Sequence, residues 1–390
     1  MVNKILKHNV KNKKFFLSKD ESKILYGLAI LLMIYHHLFV MPERLNNNYI
    51  SILDFKNFDL ELKIAIFCKM CVAIYAFISG YGLYVSSTRI DGNGIKRIKK
   101  VYVYIFKHLI NFYKKYWLVF AIFIPMGFIL NVYTFNIREF ILSIMGKGVI
   151  YNVEWWYVIK YVKMLIVFPI IEFLLKKSSE PKDNLIKGII LFFALVYYFI
   201  FSNKDLNIIG YIMSNIYMVI FFVGILIARY KIFQTIYDIC CKFKKKTIVL
   251  ISLLSIFGVV LIRMYYAKEP TWASGDMFLT PILIFSFIVL LRELNLKRVS
   301  YVLKFIGKYS IYMWLTHTFF AYYYFQDLVL LPRVSILIYL WLIIISLITS
   351  IILEKIYTLL NLAFENIIKK VSKPIYKYLR SKSSFSGNLS

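Results

Sequence analysis

The sequence has few of the residues that cross-link a chain or divide it into domains. It contains four cysteines and eight prolines in 390 residues, and no Pro-, Gly- or Ser-rich linker separates its segments. Cys68 and Cys71 fall within an apolar run, whereas Cys240 and Cys241 lie in a basic loop that we assign to the cytoplasm, where thiols stay reduced. These positions exclude a disulfide framework, and the lack of a linker favours a single domain.

One pair of cysteines has the spacing of a metal-binding motif. The segment Cys68-Lys-Met-Cys71 has the CxxC form, but the sequence supplies no second ligand pair to accompany it. Two packed or lipid-facing thiols are therefore the better interpretation. We predict no metal site and no bound cofactor.

Acidic residues are also scarce, because 20 Asp and Glu stand against 49 Lys and Arg and give a net charge of +29. Such an excess is compatible with nucleic-acid binding, but the basic residues are not spread evenly. They concentrate in the N-terminal segment, in alternate loops and in the C-terminal tail: 4–23, 91–100, 176–187, 241–246, 292–308 and 366–390. By the positive-inside rule this alternation predicts an even number of membrane crossings with both termini in the cytoplasm, and no nucleic-acid partner.

Apolar residues are abundant instead. They make up 60% of the chain, well above the roughly 45–50% of a soluble domain. The apolar runs are long enough for helices that cross a bilayer and are apolar on all sides, unlike the strands of a barrel. We predict an all-α, polytopic membrane protein with about ten transmembrane helices, near 24–40, 62–85, 116–132, 155–175, 185–201, 206–228, 247–262, 277–291, 309–325 and 334–353.

These runs also predict the organisation of the chain. The first run leads into MPERLNNN without a small-residue cleavage site, which indicates an uncleaved signal anchor. We expect a single transmembrane domain over 1–365 and a basic, disordered cytoplasmic tail over 366–390. The lipid bilayer is thus a predicted partner, and the bacterial plasma membrane is the predicted location. The oligomeric state is left open.

Two adjacent histidines lie near the end of the first apolar run, LLMIYHHLFV. Consecutive helical residues point about 100° apart, so His36 and His37 do not share one metal, and one of them can face the bundle while the other faces elsewhere. One interpretation is an interfacial histidine whose ring reaches water. The other is a general base, because a neutral imidazole accepts a proton at physiological pH.

The segment YGLAILLMIYHHLF resembles the first-helix signature of the acyltransferase 3 family of multi-pass membrane enzymes, in which a histidine follows a basic residue after ten intervening positions. Four further segments resemble landmarks of that family, in family order: AFISGYGLY, EWWYVIKYVKMLIVFPII, FFVGILIARY and IGKYSIYMWLTHTFF. Together the landmarks span residues 24 to about 320. The resemblance implies transfer of an acyl group, commonly acetyl, from cytoplasmic acyl-CoA to a hydroxyl of a carbohydrate acceptor at or near the outer side.

The same resemblance assigns roles on the first helix. The family's histidine maps onto His37, the general base, and its basic position maps onto Tyr26. These positions share a helix face about 16 Å apart, a distance that an extended pantetheine arm covers. Tyrosine lacks the charge that a phosphate prefers, so Lys23, one turn earlier, either takes over acyl-CoA binding or is an ordinary topogenic lysine.

Further candidates lie near the predicted outer side or within a span. Glu154 is placed to orient the imidazole or to bind hydroxyls, and Trp155, Trp156 and Tyr157 form either an interfacial belt or a platform for the acceptor sugar. Arg263 and Asp276 flank an outer loop, where they form a stabilising charge pair or bind the acceptor. His317, near the middle of the ninth span, has either a direct catalytic role or a structural one.

Two other function classes remain open at the level of sequence. A transporter or exporter would also use about ten helices with intramembrane lysines and histidines. A catalytically inactive relative of the acyltransferases is the other alternative, because Tyr26 departs from the family pattern. Binding of acyl-CoA separates the enzyme from the transporter, and loss of glycan acylation on replacement of His37 separates it from the inactive relative.

Overall fold

The structure is a computed structural model. It describes residues 15–45, 49–55, 58–176, 188–189, 216–266 and 275–385. The predicted fifth span, 185–201, and the first half of the sixth, 206–228, lie almost wholly outside the described residues.

The described chain is helical, as predicted, apart from one short strand pair. Besides its α-helices it contains the 3₁₀ helices Pro42–Leu45 and Val153–Trp155 and the π-helical segment Phe319–Tyr323. Its helices are α1 Lys19–Phe39, α2 Leu60–Cys68, α3 Met70–Ser87, α4 Gly94–Ile129, α5 Ile137–Ile144, α6 Trp156–Lys176, α7 Ile216–Arg229, α8 Ile232–Cys240, α9 Lys245–Tyr266, α10 Asp276–Glu293, α11 Lys297–Thr318, α12 Gln326–Leu330 and α13 Ser335–Phe385. Two-residue strands β1 Asp54–Phe55 and β2 Phe58–Asp59 pair antiparallel between α1 and α2.

Five helical segments of the described chain are long and apolar enough to cross a membrane: Lys19–Phe39, Leu60–Ser87, Gly94–Ile129, Lys245–Tyr266 and Ser335–Asn366. A sixth candidate is the pair α7 and α8, which are bent by 60° relative to each other. The predicted spans near 155–175, 277–291 and 309–325 correspond to the helices α6, α10 and α11, which are not among these candidates. The structure therefore supports a multi-pass membrane protein, while the number ten stays a prediction.

Two helices are longer than the apolar runs that predict them. Helix α4 begins at Gly94, so the basic segment before the predicted third span is helical as well. Helix α13 runs to Phe385 and extends through much of the segment 366–390, which the sequence analysis treats as a tail. Apolarity marks only the part of a helix suited to lipid, and the backbone hydrogen bonds continue beyond it.

Helix α1 begins at Lys19, directly after a capping residue, Ser18. The side chain of Ser18 accepts a hydrogen bond from the Glu21 backbone, and the Glu21 carboxylate accepts one from the Ser18 backbone, which completes a capping box. The Glu21 carboxylate also forms an ion pair with Arg292 at 2.7 Å. The beginning of α1 is thereby fixed to the end of α10.

Helices α1 and α11 cross with their backbones in contact. A Cβ atom at Gly27 would clash with the carbonyl of Leu303, and one at Gly307 would clash with the carbonyl of Lys23. Small residues at such a crossing let membrane helices approach closely. The crossing brings Lys23 on α1 and Lys308 on α11 to the same end of the bundle.

Candidate active site

A cavity of about 360 Å³ lies within the helix bundle. Its lining follows α1 from Lys23 and Tyr26 to His36 and His37, and α3, α4, α6 and α11 supply the other walls. Fourteen helical residues separate Lys23 from His37, a rise of about 21 Å. The cavity therefore joins a basic end near Lys23 to an imidazole end near His37.

At the imidazole end, His37 and Glu154 line the cavity, and His317, which is not part of the lining, packs against His37. His37 Nδ1 lies 2.7 Å from His317 Nε2, and the two rings are nearly parallel, with centroids 4.9 Å apart. His37 Nε2 lies 3.2 Å from Glu154 Oε2. The structure thus brings together the three residues that the sequence analysis nominates as catalytic.

Hydrogen-bond partners determine which ring nitrogens carry protons. His317 Nδ1 lies 2.9 Å from the carbonyl oxygen of Met313 and 3.0 Å from that of Trp314. Carbonyl oxygens only accept, so Nδ1 carries the hydrogen and Nε2 of a neutral His317 accepts from His37 Nδ1. An ionised Glu154 also only accepts, so the 3.2 Å contact between His37 Nε2 and Glu154 Oε2 is a hydrogen bond only while Nε2 carries a proton. When His37 loses that proton and keeps Nδ1–H toward His317, the lone pair is on Nε2. This tautomer is the one that a general base requires at this end of the cavity.

Arg44 holds Glu154 from the side opposite His37. Arg44 Nη1 lies 2.8 Å from Glu154 Oε1, and the guanidinium stacks 4.3 Å from the ring centre of Tyr322. The Tyr322 hydroxyl donates to the backbone carbonyl of His37. Arg44 lies in the 3₁₀ helix Pro42–Leu45 that follows α1, and the sequence analysis does not nominate it.

These contacts keep Glu154 ionised. Burial by itself raises the pKa of this carboxyl, but the positive charges of His37 and Arg44 and their hydrogen bonds outweigh burial and hold the pKa well below the ordinary value of 4.5. An ionised carboxylate beside His37 Nε2 stabilises the imidazolium that forms when His37 accepts a proton.

We expect the stability contributed by Glu154 to depend on pH. Because its pKa is lower in the folded protein than its ordinary value of 4.5, the contribution is complete above that value and is lost as the pH falls toward the lowered pKa. Thermal unfolding of detergent-solubilised protein measures this as the difference in melting temperature between wild type and Glu154→Gln. The difference should shrink on acidification below 4.5, and a difference that grows there contradicts the assignment.

The middle of the cavity contains aromatic rings and hydroxyl groups. The rings of Tyr26 and Tyr75 stack with centroids 5.5 Å apart, and both residues line the cavity. Ser79 donates to the carbonyl of Tyr75 at 2.8 Å, so it bonds within its own helix, as expected for a serine that lacks a base. Tyr26 therefore lies in the wall between the basic end and His37.

The aromatic cluster after Glu154 divides into two parts. Trp156 and Tyr157 line the cavity, as a carbohydrate platform requires. Trp155 is 1% exposed, and its indole N–H donates to the carbonyl of Leu315 at 3.1 Å. Trp155 ends the short 3₁₀ helix Val153–Trp155 and packs it against α11. Trp155 is not part of the cavity lining, so its role in acceptor binding stays a prediction.

Arg263 and Asp276 bind each other. Arg263 Nε lies 2.7 Å from Asp276 Oδ1, Arg263 Nη2 lies 3.2 Å from Asp276 Oδ2, and both side chains are 0% exposed. The sequence analysis gives this ion pair as one of two alternatives. The ion pair joins the end of α9 to the start of α10. Neither residue belongs to the cavity lining.

Four basic residues that the sequence analysis does not assign to the site also line the cavity: His36, Lys69, His108 and Lys308. Lys308 belongs to the segment IGKYSIYMWLTHTFF, which the sequence analysis uses as a family landmark. Lys69 lies between the two cysteines of the CxxC segment, which the sequence analysis considers as a metal motif. His108 carries no such signal. Its Nε2 lies 2.9 Å from the hydroxyl of Tyr161.

The described helices enclose a cavity beside which His37, His317 and Glu154 are in contact, and several of these helices are apolar enough to cross a membrane. The model of the acyltransferase 3 family, described as an acyltransferase domain, matches residues 23–355. The chain belongs to this family, as its motifs predict. No curated protein and no solved structure matches the chain.

Proposed function

We propose that the protein is an integral-membrane O-acyltransferase that moves an acyl group, most simply acetyl, from cytoplasmic acyl-CoA to a hydroxyl of an extracytoplasmic or membrane-linked glycan. In this proposal both termini are cytoplasmic and the bilayer is the bacterial plasma membrane. The observation that carries the proposal is the single cavity that connects Lys23 to His37. Its length of about 21 Å suits an extended pantetheine arm between a phosphate-binding end and a base.

His37 is the general base of the proposed reaction. The acceptor hydroxyl gives its proton to His37 Nε2 while its oxygen forms a bond to the thioester carbonyl carbon, and the carbonyl π electrons move to oxygen. The tetrahedral intermediate then re-forms the carbonyl and breaks the carbon–sulfur bond, and the CoA sulfur takes the proton from His37. His317 fixes the tautomer of His37, and Glu154 stabilises its imidazolium.

Lys23 and Lys308 are proposed to bind the CoA phosphates in place of the basic residue absent at position 26. Both line the cavity, and the contact of Gly307 with the backbone of Lys23 places α11 directly against α1 there. Within the described residues, Lys23 makes a long ion-pair contact of 3.9 Å with Asp20, and its side chain is 36% exposed. Two ammonium groups at one mouth attract the charged nucleotide of the donor.

We expect the double variant Lys23→Met/Lys308→Met to raise KM for acyl-CoA by about ten-fold or more, because a hydrogen bond to a charged group contributes about 1.5–3 kcal/mol. The kcat should change little, since both lysines are remote from the reacting atoms. Initial rates of label transfer from radiolabelled acetyl-CoA to glycan, in membranes that contain the chain, measure both constants.

The matched control for this double variant is Lys304→Met. Lys304 lies on α11 one turn before Lys308, pairs with Asp20 and is outside the lining of the cavity. Its replacement should leave KM unchanged. Equal KM values for the double variant and the control contradict a phosphate site at Lys23 and Lys308.

The two alternative functions give different results in the same membranes. A transporter does not move label from acetyl-CoA to glycan at all. An inactive relative binds CoA without transferring the acyl group. The contacts of His37 with His317 and Glu154 support the active enzyme, because they provide a base with a fixed tautomer and a stabilised protonated form.

A further inference from the structure

Lys69 lies at the junction of two helices and lines the cavity. Helix α2 ends at Cys68 and helix α3 begins at Met70, so Lys69 is the single residue between them. The combined segment Leu60–Ser87 is apolar enough to cross a membrane. An ionisable side chain within such a segment is costly, and a functional role is the first hypothesis for it.

Contacts between α1 and the α2–α3 segment give the level of Lys69 along the cavity. His36 Nδ1 donates to the carbonyl of Ala65 at 2.7 Å, and Tyr26 stacks on Tyr75 at 5.5 Å, so the two segments run antiparallel. Position 69 lies between 65 and 75 and therefore faces α1 about one turn from His36, toward Tyr26. Met33, at that level of α1, also lines the cavity.

The charge of Lys69 is not committed to an ion pair within the part of the chain that the structure describes. The carboxylates whose charges act on it are those of Glu154 and Asp276. Glu154 is bound by His37 and Arg44, and Asp276 is bound by Arg263. The two carboxylates that act on Lys69 are thus bound to other residues, and the ammonium of Lys69 is a cation at the cavity wall.

We propose that Lys69 is the cation that stabilises the oxyanion of the tetrahedral intermediate, an inference that rests on the acyl transfer proposed above. A donor that enters at Lys23 and extends toward His37 brings its thioester to the level of Lys69. As the acceptor oxygen bonds to the carbonyl carbon, negative charge develops on the former carbonyl oxygen, and the Lys69 ammonium donates a hydrogen bond to it. Lys69 keeps its proton throughout, while the hydroxyl proton goes to His37.

The position of Lys69 favours contact with the donor over contact with the acceptor. Glu154 and Arg44 lie at the end of the cavity beyond His37, where the acceptor hydroxyl arrives in the proposed reaction. Lys69 lies on the other side of His37, toward Tyr26. A positive group fixed where charge develops lowers the barrier more than one that binds the ground state equally well.

The test compares Lys69→Met, Lys69→Arg and the control Lys63→Met in membranes that contain the native acceptor. Lys63 lies on α2 and is outside the cavity lining. The rate of label transfer at saturating acetyl-CoA gives kcat. Binding of a non-reactive thioether analogue of acetyl-CoA to each purified protein gives donor affinity, and thermal unfolding of each protein shows that it is folded.

We expect Lys69→Met to lower kcat by about 10²–10³-fold, the usual effect of losing one oxyanion donor, with donor affinity unchanged. Lys69→Arg should recover part of this loss because it restores a cationic donor. Lys63→Met should match wild type.

Three results overturn the inference. An unchanged kcat in Lys69→Met overturns the role of Lys69 and leaves the proposed function standing. A weaker affinity for the donor, or a higher KM for the acceptor, with kcat unchanged assigns Lys69 to ground-state binding. Absence of any acetyl-CoA-dependent labelling by wild type overturns the proposed function itself, and the inference with it.

Discussion

Replacing His37 by glutamine is expected to lower the rate of acyl transfer by about 10²–10⁴-fold, the range that a positioned general base contributes. Glutamine retains hydrogen-bonding capacity toward His317 and Glu154 but does not accept the hydroxyl proton. Label transfer from acetyl-CoA, normalised to the amount of the chain in the membrane, measures the loss. Donor affinity should stay unchanged, because His37 is remote from the basic end of the cavity.

The neighbouring histidine provides the matched comparison. His36 Nδ1 donates to the carbonyl of Ala65, and a glutamine amide is able to make the same bond. We expect His36→Gln to cause a much smaller loss of rate than His37→Gln. The opposite order, with His36→Gln inactive and His37→Gln active, would contradict the assignment of His37 as the base.

Breaking the ion pair between Arg263 and Asp276 is expected to reduce the free energy of unfolding by about 3–5 kcal/mol. Both side chains are 0% exposed, so Arg263→Met leaves the Asp276 carboxylate buried without its partner. The measurement is the melting temperature and the yield of folded protein from membranes. An Arg263→Met protein as stable as wild type would show that the pair does not hold α9 to α10.

The double variant Arg263→Met/Asp276→Leu distinguishes a structural pair from an acceptor-binding one. Replacing both charges by apolar groups removes the unpaired buried charge, so stability should return to near the wild-type value. Retained acylation in this stable variant assigns the pair to structure alone. Lost acylation in the stable variant supports the acceptor-binding role that the sequence analysis includes among its alternatives.

The fold class is predictable from sequence because it depends on composition and run length. Apolar runs of sufficient length predict membrane helices wherever they occur, and α1 and α9 follow them closely. Helices α6, α10 and α11 are predicted as spans but are not among the candidate spans of the described chain, and each contains at least three charged residues. Some of these charged residues line the cavity or form ion pairs, as Lys308 and Asp276 do. A hydropathy pattern does not show such contacts.

Several individual residues of the site are predictable from the sequence, but the contacts between them are not. His37, Glu154 and His317 stand out individually as ionisable residues near the ends or in the middle of apolar runs. Their mutual contacts depend on the rotation and height of three helical segments, up to 280 residues apart in sequence. Lys69 was overlooked because the cysteines on either side suggest a metal motif, and its level beside α1 becomes visible only through the contacts of Ala65 and Tyr75.

Mass spectrometry of cell-surface glycans tests the central claim most directly. Glycans from cells that contain the chain, from cells that lack it and from cells with the His37→Gln variant at equal membrane abundance are compared. The account predicts an additional mass of one acyl group only in the presence of the wild-type chain. Identical glycans in all three kinds of cell, or full acylation with the His37→Gln variant, would contradict it.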